Sequence, residues 1–295
     1  MSLTAEQLAR RKKGVGASEV AAALGLSKQK SRYQLWEEKT GQAEPTESNR
    51  LMRFGSHAEK FILDEFEREH QVTLVRSPDT LQRGAMLAHL DALVPQQYVV
   101  QAKTASSKQG YGEPHTDQVP QEYLLQVTAE MLLANLKLAF VPVFFWGRDY
   151  AEYEVPFDAE LADMVESGVN DFWKLVEKRE PPEPQTLDAA NRRYRVSRES
   201  EIIVSESVRI ACVKLSTLRE EARQIEALAE EEEKIIKLAL GENEVATCNG
   251  EIVATWKTSK ASQIFDSKSF RIAHPALYQQ FMTERRGARP LLIKL

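Results

Sequence analysis

The chain has 295 residues, and 39 Lys and Arg against 44 Asp and Glu leave a net charge of −5. That length serves one large or two modest domains, and ordinary apolar and charged fractions, 42% and 28%, fit a globular protein. The acidic balance does not favour a polyanion, so a nucleic-acid partner would need a local basic patch. Cys212 and Cys248 are too few for a disulfide scaffold. No run is apolar enough to span a membrane and the N-terminus lacks a signal-peptide core, so a cytoplasmic protein is expected.

In chain order, residues 4–13 read as a basic helix ending Arg10-Arg11-Lys12-Lys13, broken by Gly14 and Gly16. Ser18 can cap a second short helix running to Leu24 and closed by Gly25. Basic residues beside a Gly-rich turn and a helix N-terminus suit a phosphate; the solvated end of a surface helix is the commoner use of such a run. Ser31 opens a third helix, with Tyr33, Leu35 and Trp36 as its apolar content, and Gly41 ends it. In a fourth, over residues 48–70, Phe54, Ala58, Phe61, Ile62 and Phe66 recur at helical spacing and predict the buried stripe. Glu59 leans towards the edge of that stripe, while Lys60, Asp64 and Glu67 fall towards water. A carboxylate so placed needs a cation, either a metal or an ordinary salt-bridge partner.

Two β-runs follow, residues 85–94 and 98–104, joined by a Pro-Gln-Gln turn at Pro95. Alternation puts Val99, Gln101 and Lys103 on one face of the second run, and Val100, Ala102 and Thr104 on the other. If that first face is buried, the amide and the ammonium need a partner, and Asp91 is placed to be one. If it is a surface strand, both simply face water. The polar loop 105–118, with Lys108, Tyr111 and His115, is too long for a turn and is a candidate functional loop.

Pro120 suits the first turn of a helix running to Leu136, on which Tyr123, Gln126 and Glu130 share a face. Strands over 137–146 and 151–157 come next, the first apolar enough to be central, then a helix over 159–179. The run Pro181-Pro182-Glu183-Pro184 marks the expected boundary between a domain of residues 1–184 and an extension of residues 185–295. The extension has a charged helix over 208–240 with a thin seam of Leu215, Leu218, Ile225, Leu228, Ile235 and Leu238. Its acidic run from Glu230 to Glu233 reads as a solvated face. A hairpin over 246–257 turns at Asn249-Gly250, and the tail carries Arg285, Arg286, Arg289 and Lys294.

Five segments taken together resemble the YqaJ-type viral recombinase family, phage exonucleases related to lambda exonuclease in the PD-(D/E)XK nuclease superfamily. They are Gly14-Val15-Gly16-Ala17-Ser18-Glu19-Val20; Tyr33, Leu35-Trp36 and Lys39-Thr40-Gly41; Met52-Arg53-Phe54-Gly55 with Glu59; Asp91 with Lys103-Thr104; and Val119-Pro120 with Tyr123 and Gln126. The similarity covers roughly residues 8 to 184. It implies an α/β (α+β) restriction-endonuclease-like core, a central mixed sheet flanked by helices, followed by a helix-plus-hairpin extension. It also implies a 5′-to-3′ exonuclease that hydrolyses one strand of linear double-stranded DNA and leaves 3′ tails for recombination. The implied cofactor is Mg2+, with Mn2+ able to substitute.

On this resemblance Asp91, Glu59, Gln101 and the Ala102 carbonyl would hold the metal, since hard cations take oxygen ligands. Lys103 would orient the water or stabilise the transition state, and Gln126 with Tyr123 would line the site. Arg11 and Ser18 would meet the terminal 5′-phosphate, with Lys108 as a further DNA contact. The implied partners are double-stranded DNA ends, a single-strand annealing protein and two further copies in a trimeric ring. The extension would serve as a docking surface or a trimer contact.

The departures are equally specific. The family pattern has Glu where this chain has Gln101, which keeps an oxygen and loses the charge. The Pro and Gly usually flanking the Asp are Leu90 and Ala92, and His89 stands where a small residue is common. An active exonuclease lineage with an impaired site, a DNA-end-binding module without catalysis, and an endonuclease on the same core are therefore the readings to be separated.

Overall fold

The computed structural model describes residues 12–43, 50–146, 149–284 and 287–294, the side chains of residues 51 and 52 excepted. The chain divides into two units, Met1–Tyr194 and Arg195–Leu295.

The first unit opens with a two-residue strand, β1 (Val15–Gly16), and a 3-10 turn (Ala17–Glu19) leading into α1 (Val20–Ala23). The turn is tied by the Glu19 carboxylate, which accepts the Gly16 N–H at 2.8 Å, so Ser18 is not the cap that the sequence suggested. Lys39 pairs with the same carboxylate at 2.6 Å and anchors α2 (Arg32–Lys39) to it. Ser31 does cap α2, its hydroxyl accepting the Gln34 N–H at 3.2 Å. The long helix α3 (Arg50–His70) follows.

Strands β2 (Val75–Arg76), β3 (Leu81–Arg83), β4 (Met86–Ala88), β5 (Ala92–Val94), β6 (Tyr98–Val100) and β7 (Lys103–Ala105) come next, then α4 (Gln121–Ala134), β8 (Leu138–Phe145), β9 (Asp149–Pro156), α5 (Ala159–Lys178) and α6 (Leu187–Arg193). They build two sheets, a small one in the order β1-β4-β3 and a six-stranded one centred on β8. Along one edge of β8 run β6 and β7, both parallel to it, and β9 pairs antiparallel along the other. β5 and β2 extend the sheet beyond β6.

Two expected elements are broken in ways that matter. The run 85–94 is two strands in different sheets, and the chain crosses between them at residues 89–91. The run 98–104 is interrupted at Gln101 and Ala102 although its register on β8 does not change, since Val100 faces Phe140 and Lys103 faces Val143. The physical cause is Pro142. Gln101 N–H reaches the Phe140 carbonyl at 2.9 Å, and a parallel ladder would return a bond from residue 142, which as proline has no N–H.

The sheet is packed on both faces. Val99, Ala139, Val141 and Val143 join the larger core with Leu125, Val127 and Met131 of α4. Val100, Phe140, Ala92 and Val94 meet Leu63 and Phe66 of α3 in a second cluster. The stripe expected on α3 is only partly buried. Ile62 and Phe66 are fully covered, but Phe54 and Phe61 are 45% and 51% exposed. They lie to one side of the Ile62–Phe66 line and reach the end of β8 rather than its centre, where their ring neighbours are Phe144 and Trp146.

Beyond the proline-rich run, α6 is still part of this unit, with Ala189 in the core and Arg193 donating to the Pro182 carbonyl at 2.9 Å. The second unit contains α7 (Glu206–Leu240), the hairpin β10 (Val245–Cys248) and β11 (Glu251–Thr255), and the short helices α8 (Ser267–Ala273) and α9 (Pro275–Gln280). Asn249 and Gly250 both take positive φ, as a two-residue hairpin turn of this twist requires. No helix among the described residues is long and apolar enough to cross a membrane.

Candidate active site

The break opposite Pro142 and the crossing at residues 89–91 lie side by side, and the candidate site is built where they meet. Asp91 is held by its backbone, its carbonyl accepting the Ser77 N–H at 2.8 Å. Its Oδ2 accepts the Ala102 N–H at 3.0 Å and the side-chain amide of Gln101. Glu59, on α3, is near enough for its charge to bear on Asp91.

Lys103 shares its face of the run with Gln101, as strand alternation requires, and its side chain reaches α4. Its Nζ donates to Gln126 Oε1 at 3.0 Å and lies 4.9 Å from the centre of the Tyr123 ring. Gln126 Nε2 in turn donates to Glu130 Oε1 at 2.8 Å, one helical turn on. The Gln126 amide is thereby oriented, with its oxygen turned to the lysine and its nitrogen to the carboxyl.

Burial sets the charge state. It pushes the Asp91 carboxyl up to about 7, against the pull of Lys103 and the Ala102 N–H and with the push of Glu59. Asp91 keeps a partly exposed surface while its surroundings are dense. It is therefore an acid that a cation can still reach. Glu130 is only 1% exposed, and burial drives it up to about 8 in spite of Lys103.

Two buried oxygens, Gln101 Oε1 and Glu130 Oε2, have no hydrogen-bond partner. Orphaned oxygens are costly, and the Gln101 amide that carries one of them donates its nitrogen to Asp91. With Asp91, Glu59 and the Ala102 carbonyl its oxygen makes an all-oxygen donor set, which fits a hard divalent cation. The fit is weakened in charge. No group of three or more His, Cys, Asp or Glu suited to a metal occurs among the described residues. The amide nitrogen of Gln101 also faces Asp91, where a glutamate would present oxygen.

The sequence-predicted residues thus divide. Asp91, Gln101, Ala102, Lys103, Tyr123 and Gln126 are brought together, with Glu59 alongside. Ser18 stands exposed on the 3-10 turn, which packs against α4. Lys108 is in an exposed ion pair with Asp149 at 2.5 Å. Arg11 lies outside the described residues. Glu130 was visible as a face-mate of Gln126, but nothing in the sequence marks its complete burial. Pro142 was the available signal for the strand break, because proline in a central strand is otherwise excluded.

Residues 6–137 match the family described as YqaJ-like viral recombinase domain. The protein YqaJ of Bacillus subtilis (strain 168), itself uncharacterized, is 26% identical over 296 residues, which is 95% of this chain and 91% of that protein. Among solved structures, the alkaline exonuclease LHK-Exo of Laribacter hongkongensis superposes with a TM-score of 0.51 at 20% identity, covering 60% of this chain and 94% of that one. A phage-related exonuclease from Haemophilus somnus also matches, with a TM-score of 0.47 at 14% identity, over 56% of this chain and 94% of that one. The mixed sheet flanked by helices is that of the PD-(D/E)XK fold.

Proposed function

From the match of residues 6–137 to the YqaJ-like viral recombinase domain we infer that the chain is a metal-dependent DNA exonuclease acting on linear double-stranded ends. The observation that carries the reading is the convergence of Asp91, the orphaned Gln101 oxygen and Lys103 at a strand break. Asp91, Glu59, Gln101 Oε1 and the Ala102 carbonyl would hold Mg2+, or Mn2+ in its place. The cation supplies charge neutralisation at the phosphate and an acidified water. Lys103, held by Gln126 against the Tyr123 ring, places a fixed positive charge where negative charge develops on phosphate oxygen.

Digestion proceeds from the 5′ end and leaves 3′ tails for an annealing protein. A ring of three copies would confine the duplex, and the second unit is the surface on which those contacts form. The neutral Gln101 slows this chemistry without abolishing the site. A second reading, a DNA-end-binding module without hydrolysis, is favoured by one observation, the Gln101 amide donating into the Asp91 carboxylate.

Incubation of the chain with 5′-phosphorylated linear duplex and with a covalently closed circle, each with Mg2+, tests the proposal. Loss of the linear form alone, abolished by Asp91→Asn, is the expected result. Cutting of the circle would make the protein an endonuclease, and end binding without product would favour the binding module.

A further inference from the structure

The misplaced half of the α3 stripe is itself informative. Phe54 and Phe61, spaced as core residues, together with Trp146 at the end of β8, are 45%, 51% and 41% exposed. With Phe144 they form a continuous series of edge-to-face rings. Phe54 meets Trp146 at 6.5 Å, Trp146 meets Phe144 at 5.8 Å, and Phe144 meets Phe61 at 5.6 Å between centroids. Arg50 lies 5.5 Å from the Phe54 ring and gives the patch a cationic rim.

The patch borders the candidate site. Trp146 N–H bonds to the Ala105 carbonyl at 3.0 Å, and Thr104, next to Lys103, pairs with Phe144. A Cβ added at Gly55, beside Phe54, would lie 3.8 Å from Thr104 Oγ1, so this part of α3 lies against the strand that carries the lysine.

Scattered exposed apolar side chains are ordinary, whereas a contiguous exposed aromatic patch is suited to binding. Unpaired nucleobases are a fitting occupant. Each base has a π-face that stacks on an aromatic ring irrespective of sequence, while a nearby guanidinium meets the backbone phosphate. We propose that Phe54, Trp146 and Phe61 form a stacking platform for unpaired bases of the DNA strand beside the Asp91–Lys103 centre. The proposal rests on the nuclease reading and deepens it, because an enzyme acting at a duplex end must keep the opened strands apart.

The test uses the full chain in EDTA, to prevent hydrolysis, with a 5′-phosphorylated duplex bearing a 3′ single-stranded tail that contains 2-aminopurine. Trp146→Leu and Phe54→Leu keep an apolar side chain and lose the ring. Each is expected to weaken binding of the tailed DNA about 10-fold and to reduce aminopurine quenching. The slope of log affinity against log salt should stay the same, since no phosphate contact is removed. Trp146→Phe should retain binding, and a tail of abasic residues should bind wild type and variants equally. Equal affinity of wild type and Leu variants for the base-bearing tail would overturn the proposal, even with digestion of linear duplex by the wild type intact. A change in mass by light scattering with no change in DNA binding would assign the patch to contacts between copies, and would also overturn it. No DNA binding by the wild type would overturn the nuclease reading together with the platform.

Discussion

Replacing Glu130 with Gln keeps an oxygen to accept the Gln126 amide at the same place and removes only the ability to ionise. In the folded chain the Glu130 carboxyl titrates near 8, from an ordinary 4.5. Between those values the folded state holds a proton that the unfolded state has released, so stability falls as pH rises through the window. At about 1.4 kcal/mol per pH unit the loss is on the order of 4–5 kcal/mol once pH exceeds the folded value. Glu130→Gln escapes it. Urea melts followed by tryptophan fluorescence, with Trp36, Trp146 and Trp173 all in the first unit, should give nearly equal stabilities at about pH 5. By about pH 9 the variant should be more stable by a few kcal/mol. Parallel stability curves for the two proteins across that range would refute the burial that holds this carboxyl protonated well above its ordinary range.

Other consequences can be checked separately. Gln101→Glu returns a carboxylate to the oxygen set beside Asp91, and calorimetric Mg2+ binding should tighten about 10-fold or more, on the order of 1.4 kcal/mol. Phe66→Ala empties the second core cluster, where the fully buried ring meets Tyr98 and Phe140; about 3–5 kcal/mol of stability should be lost in denaturant melts. Gly14→Ala would bring a Cβ within 2.6 Å of the Ala85 carbonyl, and melts should show a loss of about 1–3 kcal/mol.

Much of the site could be read from the chain before any fold was known. Alternation alone placed Gln101 and Lys103 with Val99, and Asp91 was the partner proposed for both; Asp91 does take the Gln101 amide, whereas Lys103 bonds to Gln126 and acts on Asp91 through its charge. Helical spacing alone put Tyr123, Gln126 and Glu130 on one face. What could not be read depends on long-range neighbours. Periodicity on α3 distinguishes an apolar face from a polar one, but not how far the sheet beneath it extends, so Phe54 and Phe61 were placed in a core that stops short of them. Ser18 had the chemistry of a cap, but Glu19 reached Gly16 first, fixed by Lys39 from a helix twenty residues away. The strand break needed the register of β8 to bring Pro142 opposite it.

The most direct test is digestion of linear 5′-phosphorylated duplex with Mg2+ by this chain, by Gln101→Glu and by Asp91→Ala side by side. The account expects the Gln101→Glu form to degrade the DNA from its ends, this chain to do so at least about 10-fold more slowly, and Asp91→Ala not at all. Activity surviving in Asp91→Ala, or no degradation by Gln101→Glu although it still binds DNA ends, would contradict it.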